Sequence, residues 1–528
     1  KKTMLACFVL SYFWCVFAQQ QSACLPTPDV PPADPSTPNV LMIVTDDLDI
    51  DLGGTDHLPH TRRLIGDAGV NLSHWYAHTP VCCPSRAELL TGRYFHNIKT
   101  DNPKDPGCMH VRVDSDLKND FYQHWYFAKA FQKGGFTVGV FGKHLNNYNT
   151  HCPPPGVDQW LVNGGGDYYN PSFSWSAAGV SPATALFNNC SGYPCYSTSV
   201  IGNATLNWLR AHHSSSSKNG TRKPFFGYVA VKAPHIQDGD GWPVALPAPW
   251  YNNTRCNHTA PRTAAWNKTC PDHHWLVRSQ PPMTIEQGKR SDALYRSRLQ
   301  SLLSVDDLVV GLVQELENLG ILNNTYILFT SDHGYRLGQF QMPQGKWNVY
   351  DTDTHIPLLI RGPGLRPGTT LPFVGSPVDV MLTMLGLVGL TPPSSMDGKS
   401  LALLLLENNS NIVSKNASNW RTELLIEYYS LGEVVRYEHL EDTSNNTFRA
   451  LRIVDPAAAP GLRNLKWVEF TSLQNWNFTA PASEFELFDL EKDPSEVVNL
   501  YRKAPADLIA KLQARVEQLF RCRGENCN

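Results

Sequence analysis

The sequence predicts an α/β protein. A large mixed, mostly parallel sheet flanked by helices is followed by a smaller C-terminal α+β subdomain with an antiparallel sheet. Three observations predict this. Apolar runs of strand length recur at Asn39–Thr45, Val138–Phe141, Phe225–Val231 and Tyr326–Thr330, the pattern of strands covered on both faces. Before the last of them, Leu299, Leu302, Leu303, Val305, Leu308, Val309, Leu312, Val313 and Leu316 repeat at helical spacing and Gly320 closes the run. Strands alternating with helices build a parallel sheet whose ligands sit beyond the strands' carboxyl ends. Past about residue 415, short strands at 422–428, 448–454 and 466–470 precede a helix at 505–520, which predicts the antiparallel subdomain.

The elements follow in order. Lys1-Lys2, a short apolar run and Val16-Phe17-Ala18 have the layout of a secretory signal peptide over 1–18. The run is short for a membrane span, and no other segment is long and apolar enough for one. The mature chain is therefore expected to be soluble and to pass through the secretory pathway, toward the extracellular medium, a periplasmic or cell-wall space, or a lysosome. Residues 19–38 form a Pro-rich extended lead-in. The large domain is expected over 39–414 and the C-terminal subdomain over 415–528. Within the first, 212–223 reads as a surface loop and 236–290 as a long insertion near the mouth of the site.

Composition excludes several classes. With 528 residues, 42% hydrophobic and 18% charged, the chain can bury a large core and is not globally disordered. Its 45 basic and 48 acidic residues leave no electrostatic footprint for nucleic acid. Secretion predicts N-glycans and disulfides. Asn-x-Ser/Thr occurs at Asn71, Asn189, Asn203, Asn219, Asn252, Asn257, Asn267, Asn323, Asn408, Asn416, Asn445 and Asn477. Of the 13 Cys, Cys7 and Cys15 would leave with the signal. The close pairs Cys190/Cys195, Cys256/Cys270 and Cys522/Cys527 look like small loop staples, although spacing does not settle connectivity.

Chemistry concentrates in three clusters. Asp46-Asp47 follows the first strand, and adjacent carboxylates repel each other unless a cation joins them; the alternative is a turn with a helix cap. Ser331-Asp332-His333-Gly334 follows the 326–330 strand and is open to the same two readings. Together they offer three carboxylates and an imidazole, an oxygen-rich set suited to Ca²⁺ or Mg²⁺. The third cluster runs from Cys82 through Cys83-Pro84-Ser85-Arg86 to Thr91-Gly92-Arg93. Pro84 fits the first position of a helix and Gly92 its end, which places Cys82 at a helix N-terminus where backbone N–H groups favour an anion, with Arg86 one turn in.

This twelve-residue string resembles the sulfatase signature Cys-x-Pro-Ser-Arg-x-x-x-Leu-Thr-Gly-Arg at every defined position. The likeness extends over most of the mature chain, through Gly142-Lys143, Ala233-Pro234-His235, Lys346, the stretches 357–364 and 396–401, and 486–494. Within the sulfatase family it is nearest to the N-acetylglucosamine-6-sulfatase and algal-type arylsulfatase branches, on Leu52-Gly53-Gly54, Cys82-Cys83, His274–Arg278 and Leu302–Leu308. The resemblance implies an alkaline-phosphatase-like fold and a hydrolase of aryl or carbohydrate sulfate esters. It implies that Cys82 is oxidised to formylglycine (3-oxoalanine) by a formylglycine-generating enzyme. It implies one Ca²⁺ per chain, held by Asp46, Asp47, Asp332, His333 and the modified Cys82. It further implies that Arg86 holds the hydrated aldehyde, that Lys143 and Lys346 clamp the sulfate, and that His235 serves the leaving oxygen. Two positions depart from the family pattern. Glucosamine-6-sulfatases usually carry Asn where His333 stands, and the His often found two residues after the first lysine is replaced, with His144 and Asn146 as the nearby candidates.

Two rival readings remain at this level. A phosphatase or phosphodiesterase of the same superfamily usually has Ser or Thr as nucleophile, unlike Cys82. An inactive protein that binds sulfated glycans would be expected to have lost Cys82 or a metal aspartate, and none is lost. Substrate identity and oligomeric state stay open.

Overall fold

β1 (Asn39–Thr45) is buried at every position because both its faces are covered. Val40, Met42 and Val44 point into one hydrophobic cluster with Trp75, Phe131 and Met381. Leu41 and Ile43 point into the other, with Trp208, Leu302, Val305 and Leu312. A computed structural model describes residues 34, 36–100, 121–122, 126–146, 153–177, 180–188, 190, 195–218, 222–237, 242, 244–406, 419–430, 435–437 and 440–527. The expected signal peptide, most of the lead-in and the 414/415 boundary lie outside the described residues.

The remaining strands of the large sheet are β2 (Val70–Trp75), β3 (Thr137–Lys143), β4 (Gln159–Asn163), β5 (Ser172–Ala177), β6 (Val180–Leu186), β7 (Phe225–Ala230), β8 (Thr325–Ser331), β9 (Leu358–Arg361) and β10 (Thr369–Gly375). They form a ten-stranded sheet in the order β10-β2-β9-β8-β1-β7-β3-β4-β5-β6. The central run β8-β1-β7-β3-β4 is parallel, and β2/β9, β8/β9, β4/β5 and β5/β6 pair antiparallel. Register brings the chemistry together: Thr45 pairs with Ser331, so Asp46 and Asp332 leave the sheet side by side. Val44 and Gly142 both pair with Ala230, so Lys143 and the chain leading to His235 emerge at the same edge. Gly142 is required there. Its φ is +92°, and a Cβ would fall 1.8 Å from the Ala230 carbonyl oxygen.

The long helix, Ile285–Asn318, starts earlier than its leucine pattern suggests. A capping box of Thr284 and Gln287 opens it, so the last residues of the expected 236–290 insertion are helical. The described remainder of that insertion is mostly irregular. It bridges the helix to the 336–345 loop and to the C-terminal sheet, through Ala260 on Asp292, Asn267 on Gly338 and His274 on Glu486. The expected loop at 212–223 is also corrected: the helix Ser197–Lys218 runs through all four of its serines, Ser214 to Ser217. Weak helix formers are carried there by the buried face of Ile201, Trp208 and Leu209.

The second sheet is antiparallel, in the order β11-β14-β15-β16, from β11 (Glu423–Tyr428), β14 (Thr447–Val454), β15 (Asn464–Thr471) and β16 (Glu484–Asp489). A separate hairpin pairs β12 (Val435–Tyr437) with β13 (Leu440–Asp442). The helix Ala506–Arg521 covers the four-stranded sheet with Leu512, Val516, Leu519 and Phe520, which join Trp467 and Leu451 in the cluster that also holds Val40. A buried ionic network ties this sheet to the larger one. Lys466 Nζ lies 2.6 Å from both Asp351 and Glu496, and Arg452 reaches Tyr76 Oη at 2.7 Å and Asp351 at 3.3 Å. Lys466 is fully buried, so Lys466→Met leaves the buried Glu496 without its cation and Asp351 with Arg452 alone. The expected result is a loss of about 3–5 kcal/mol in denaturant unfolding.

Disulfides join Cys190 to Cys195 and Cys522 to Cys527. Cys83 is also disulfide-bonded. The third expected staple does not form: Cys256 and Cys270 are both free, one exposed and one buried. Among the described residues no helix is long and apolar enough to cross a membrane.

Candidate active site

The site is built where β1, β3, β7 and β8 end. The helix Cys82–Thr91 points its N-terminus into it, with Val81 as an extended N-cap and Gly92 as a left-handed C-cap at φ 64°. Pro84 sits at the third helical position instead of the first. It is tolerated because every N–H of a first turn lacks an intrahelical acceptor. Cys82 is 2% exposed. Its Sγ lies 3.0 Å from Lys346 Nζ, 3.4 Å from His333 Nε2 and 3.5 Å from Asp46 Oδ1. Burial and Asp46 push the thiol up, yet Lys143, Lys346 and His333 outweigh them and hold it well below its usual range.

Arg86, one turn along the helix and fully buried, is the hub. Its Nε donates to Asp332 Oδ2 at 2.8 Å, Nη1 to the Lys143 carbonyl at 3.0 Å and to Tyr228 Oη at 3.3 Å, and Nη2 to the Thr45 carbonyl at 3.4 Å. One guanidinium thus spans β1, β3, β7 and β8. Ser85 Oγ adds a bond to the Asp332 carbonyl at 2.5 Å.

Asp46 pairs with the Lys143 ammonium and lies 3.7 Å from Arg86. Burial raises its carboxyl, but Lys143, His235, Arg86 and Lys346 bring it well below the carboxylate range. Asp47 adopts φ 70°, and its N–H donates to Asp332 Oδ1 at 3.1 Å. Its Oδ1 accepts from Lys346 Nζ at 2.8 Å. Against burial, Lys346, His235 and His333 bring its carboxyl to about 2. Asp332 is the exception: burial lifts its carboxyl to about 6 despite Arg86. His333 faces the Gly334 carbonyl with Nδ1 at 2.9 Å, so that nitrogen carries the proton and Nε2 points at Cys82 and, 3.5 Å away, at Asp47 Oδ1. His235 Nδ1 is likewise committed to a carbonyl, Ile236 O at 2.6 Å, which turns Nε2 toward Asp47 Oδ2 at 4.0 Å.

These residues fit a cation. Asp46, Cys82, Asp332 and His333 place ligand atoms within 4.8 Å of one another, as do Asp46, Asp47, Cys82 and His235. Asp47 Oδ2 is buried and has no hydrogen-bond partner, which a cation would supply. Three carboxylates with one imidazole form a hard donor set of the kind that suits Ca²⁺.

The structure therefore brings together all of Asp46, Asp47, Cys82, Arg86, Lys143, His235, Asp332, His333 and Lys346. His144 is in the core instead, its ring between Trp160, 4.9 Å away, and the Tyr126 hydroxyl at 2.9 Å from Nε2. Arg298 escaped the sequence reading. It comes from the long helix and donates to the Asp47 carbonyl at 2.6 Å. Its signal was an arginine on the buried stripe Leu294, Leu302, Val305. Of the glycosylation candidates, Asn203, Asn252, Asn257, Asn323, Asn445 and Asn477 are exposed, and Asn71 and Asn267 are half-buried. Asn189, Asn219, Asn408 and Asn416 lie outside the described residues.

The family model described as "Sulfatase" matches residues 38–390. The chain is 32% identical over 515 residues to human N-acetylglucosamine-6-sulfatase, covering 93% of this chain and 86% of that protein. It is 28% identical to an arylsulfatase of Volvox carteri, covering 93% of this chain and 75% of that protein. In fold it resembles a solved protein described as bound to its substrate D-glucosamine-2-N,6-O-disulfate. The TM-score is 0.66 at 22% identity, over 91% of this chain and 97% of that one. With the signature residues, the strand-end carboxylates and these relatives in agreement, the chain belongs to the sulfatase family and is a hydrolase of sulfate esters.

Proposed function

We propose that the chain hydrolyses the 6-sulfate ester of a glucosamine-type sugar, using formylglycine made from Cys82 and one bound Ca²⁺. The observation that carries this reading is the setting of Cys82: a single buried side chain at a helix N-terminus, faced by Lys346 and His333 and next to three carboxylates at one sheet edge. The substrate class is supported by the human glucosamine-6-sulfatase relative. The disulfides and the exposed sequons support passage through an oxidising, glycosylating compartment.

The roles follow from charge and geometry. A sulfate monoester brings negative charge to the site, and attack on sulfur requires that charge to be neutralised. Lys143 and Lys346, both buried and both aimed at the Cys82 neighbourhood, clamp the sulfate oxygens. Arg86 keeps Asp332 and the end of β3 in register and so holds the nucleophile's surroundings rigid. Because the Nδ1–H of His235 is given to a carbonyl, it is the doubly protonated ring that would pass its Nε2 proton to the departing sugar oxygen. Ca²⁺, held by Asp46, Asp47, Asp332 and His333, would add positive charge beside the ester. The oxidised Cys82 would offer two hydroxyls on one carbon, one to attack sulfur and one to release sulfate as the aldehyde re-forms.

The test is to compare turnover of an aryl sulfate, an aryl phosphate and 6-sulfated N-acetylglucosamine. Sulfate esters turned over with the sugar preferred is the expected outcome; preference for the phosphate would overturn the reading. Removing calcium with a chelator should abolish turnover and lower Tm by about 3 °C, both restored by Ca²⁺ alone. Unchanged activity after complete chelation would remove calcium from the account.

A further inference from the structure

We propose that Arg298 is a positioning residue for this site: it locks the peptide of Asp47 against the Pro234–His235 turn, so that the Asp47 carboxylate and the His235 imidazole face one point. The proposal rests on the reading of Asp47 as a cation ligand and goes beyond it, because Arg298 itself touches neither substrate nor cation.

Arg298 occupies a core position of the long helix, on the stripe that otherwise carries Leu294, Leu302 and Val305, and it is 3% exposed. A buried guanidinium is costly unless its donors are satisfied. Its donors are spent on this corner of the site. Nη2 donates to the Asp47 carbonyl at 2.6 Å and lies 3.4 Å from Asp49 Oδ1, and Nη1 reaches the Pro234 carbonyl at 3.4 Å. The guanidinium also lies over the Tyr335 ring, 4.6 Å from its centroid, two residues beyond His333. One planar group therefore touches the segments that follow β1, β7 and β8.

The Asp47 peptide needs such a restraint. Asp47 has φ 70°, a left-handed conformation that a residue with a Cβ adopts at a cost. Turning it back toward the ordinary region would swing its carboxylate away from Lys346 and its N–H away from Asp332 Oδ1. The Pro234 carbonyl immediately precedes His235, whose Nε2 stands 4.0 Å from Asp47 Oδ2. Lysine keeps the charge but lacks the rigid fork that serves two carbonyls at once.

The experiment measures Arg298→Lys and Arg298→Gln against the unsubstituted protein. Calcium binding is followed by direct titration, aryl-sulfate kcat and KM at saturating calcium, and Tm in chelator. The expected result for Arg298→Lys is calcium binding at least about tenfold weaker and kcat at least about tenfold lower, of the size seen when a ligand's support is removed. KM should change little, and the chelated Tm should stay close to that of the unsubstituted protein. Calcium binding and kcat both unchanged in Arg298→Lys would overturn the proposal while leaving the site reading intact. No calcium binding by the unsubstituted protein would fail the site reading itself. If Arg298→Lys does not fold, Arg298→Gln is read in its place. If both unfold, the residue is a general core support and the proposal falls.

Discussion

Cys82→Ser is expected to lower aryl-sulfate turnover by about 10⁴-fold or more while the chain still folds, the scale typical of removing a nucleophile that acts with its neighbours as one unit. Folding should survive because the side chain's neighbours are held by bonds of their own. Lys346 keeps Asp47 at 2.8 Å, His333 keeps the Gly334 carbonyl at 2.9 Å, and Lys143 keeps Asp46. Serine is close to cysteine in size, and its hydroxyl can still accept from the Lys346 ammonium. Turnover should fail for a chemical reason. A single hydroxyl can attack sulfur once, but the same carbon carries no second hydroxyl with which to expel sulfate. The check has two parts: continuous aryl-sulfate assay of both proteins, and mass measurement of the peptide containing position 82. In the unsubstituted protein that peptide is expected at the aldehyde mass. Full activity in the variant, or an unmodified thiol throughout fully active protein, refutes the assignment of Cys82.

The parts of the site that sequence revealed are those where one local pattern carries both structure and chemistry. Asn39–Thr45 reads as a buried strand from its own residues, and Asp46-Asp47 reads as its polar stop. The string 82–93 joins a helix start, a nucleophile and an arginine one turn later. What no window contains is register. Asp46 and Asp332 meet because Thr45 pairs with Ser331 across a separation of 286 residues, and only the folded sheet shows it. Arg298 was hidden for the opposite reason: its helix is conspicuous, and a lone arginine on an apolar stripe looks like a helix face reaching solvent. The corrected elements share a cause. The serines after 213 stay helical because Trp208 and Leu209 anchor the preceding turns in the core, so tertiary packing outweighs propensity. Cys256 and Cys270 are close in sequence, yet the insertion between them folds outward to different partners. Cys270 packs near Val497 of the C-terminal part, and Cys256 stays in an exposed turn near Asn253.

Asp332→Ala is expected to remove both calcium and activity, and comparison with Asp332→Asn separates the two reasons. The carboxylate has a structural task. Oδ2 takes Arg86 Nε at 2.8 Å, and Oδ1 takes the Asp47 N–H at 3.1 Å and the His333 N–H at 2.9 Å. Alanine leaves the fully buried Arg86 with Asp46, 3.7 Å away, as its remaining ionic partner. Breaking such a pair costs about 3–5 kcal/mol, so this variant should melt earlier even in chelator. Asparagine keeps an acceptor of the same shape for Arg86, and its penalty should be nearer about 1–3 kcal/mol. Both variants lose the same negative charge next to Asp46 and Asp47. Calcium affinity should therefore fall in both by at least about 10–100-fold, the cost typical of disturbing only a ligand's support. Turnover at micromolar calcium should disappear with it. If Asp332→Asn bound calcium normally, the cluster after β8 would be a turn that supports Arg86, and the cation would have to be held by the carboxylates after β1 alone. If it lost calcium while its chelated Tm fell clearly less than that of Asp332→Ala, the sheet edge would be doing two separable things with one side chain: neutralising a buried guanidinium and completing a cation site.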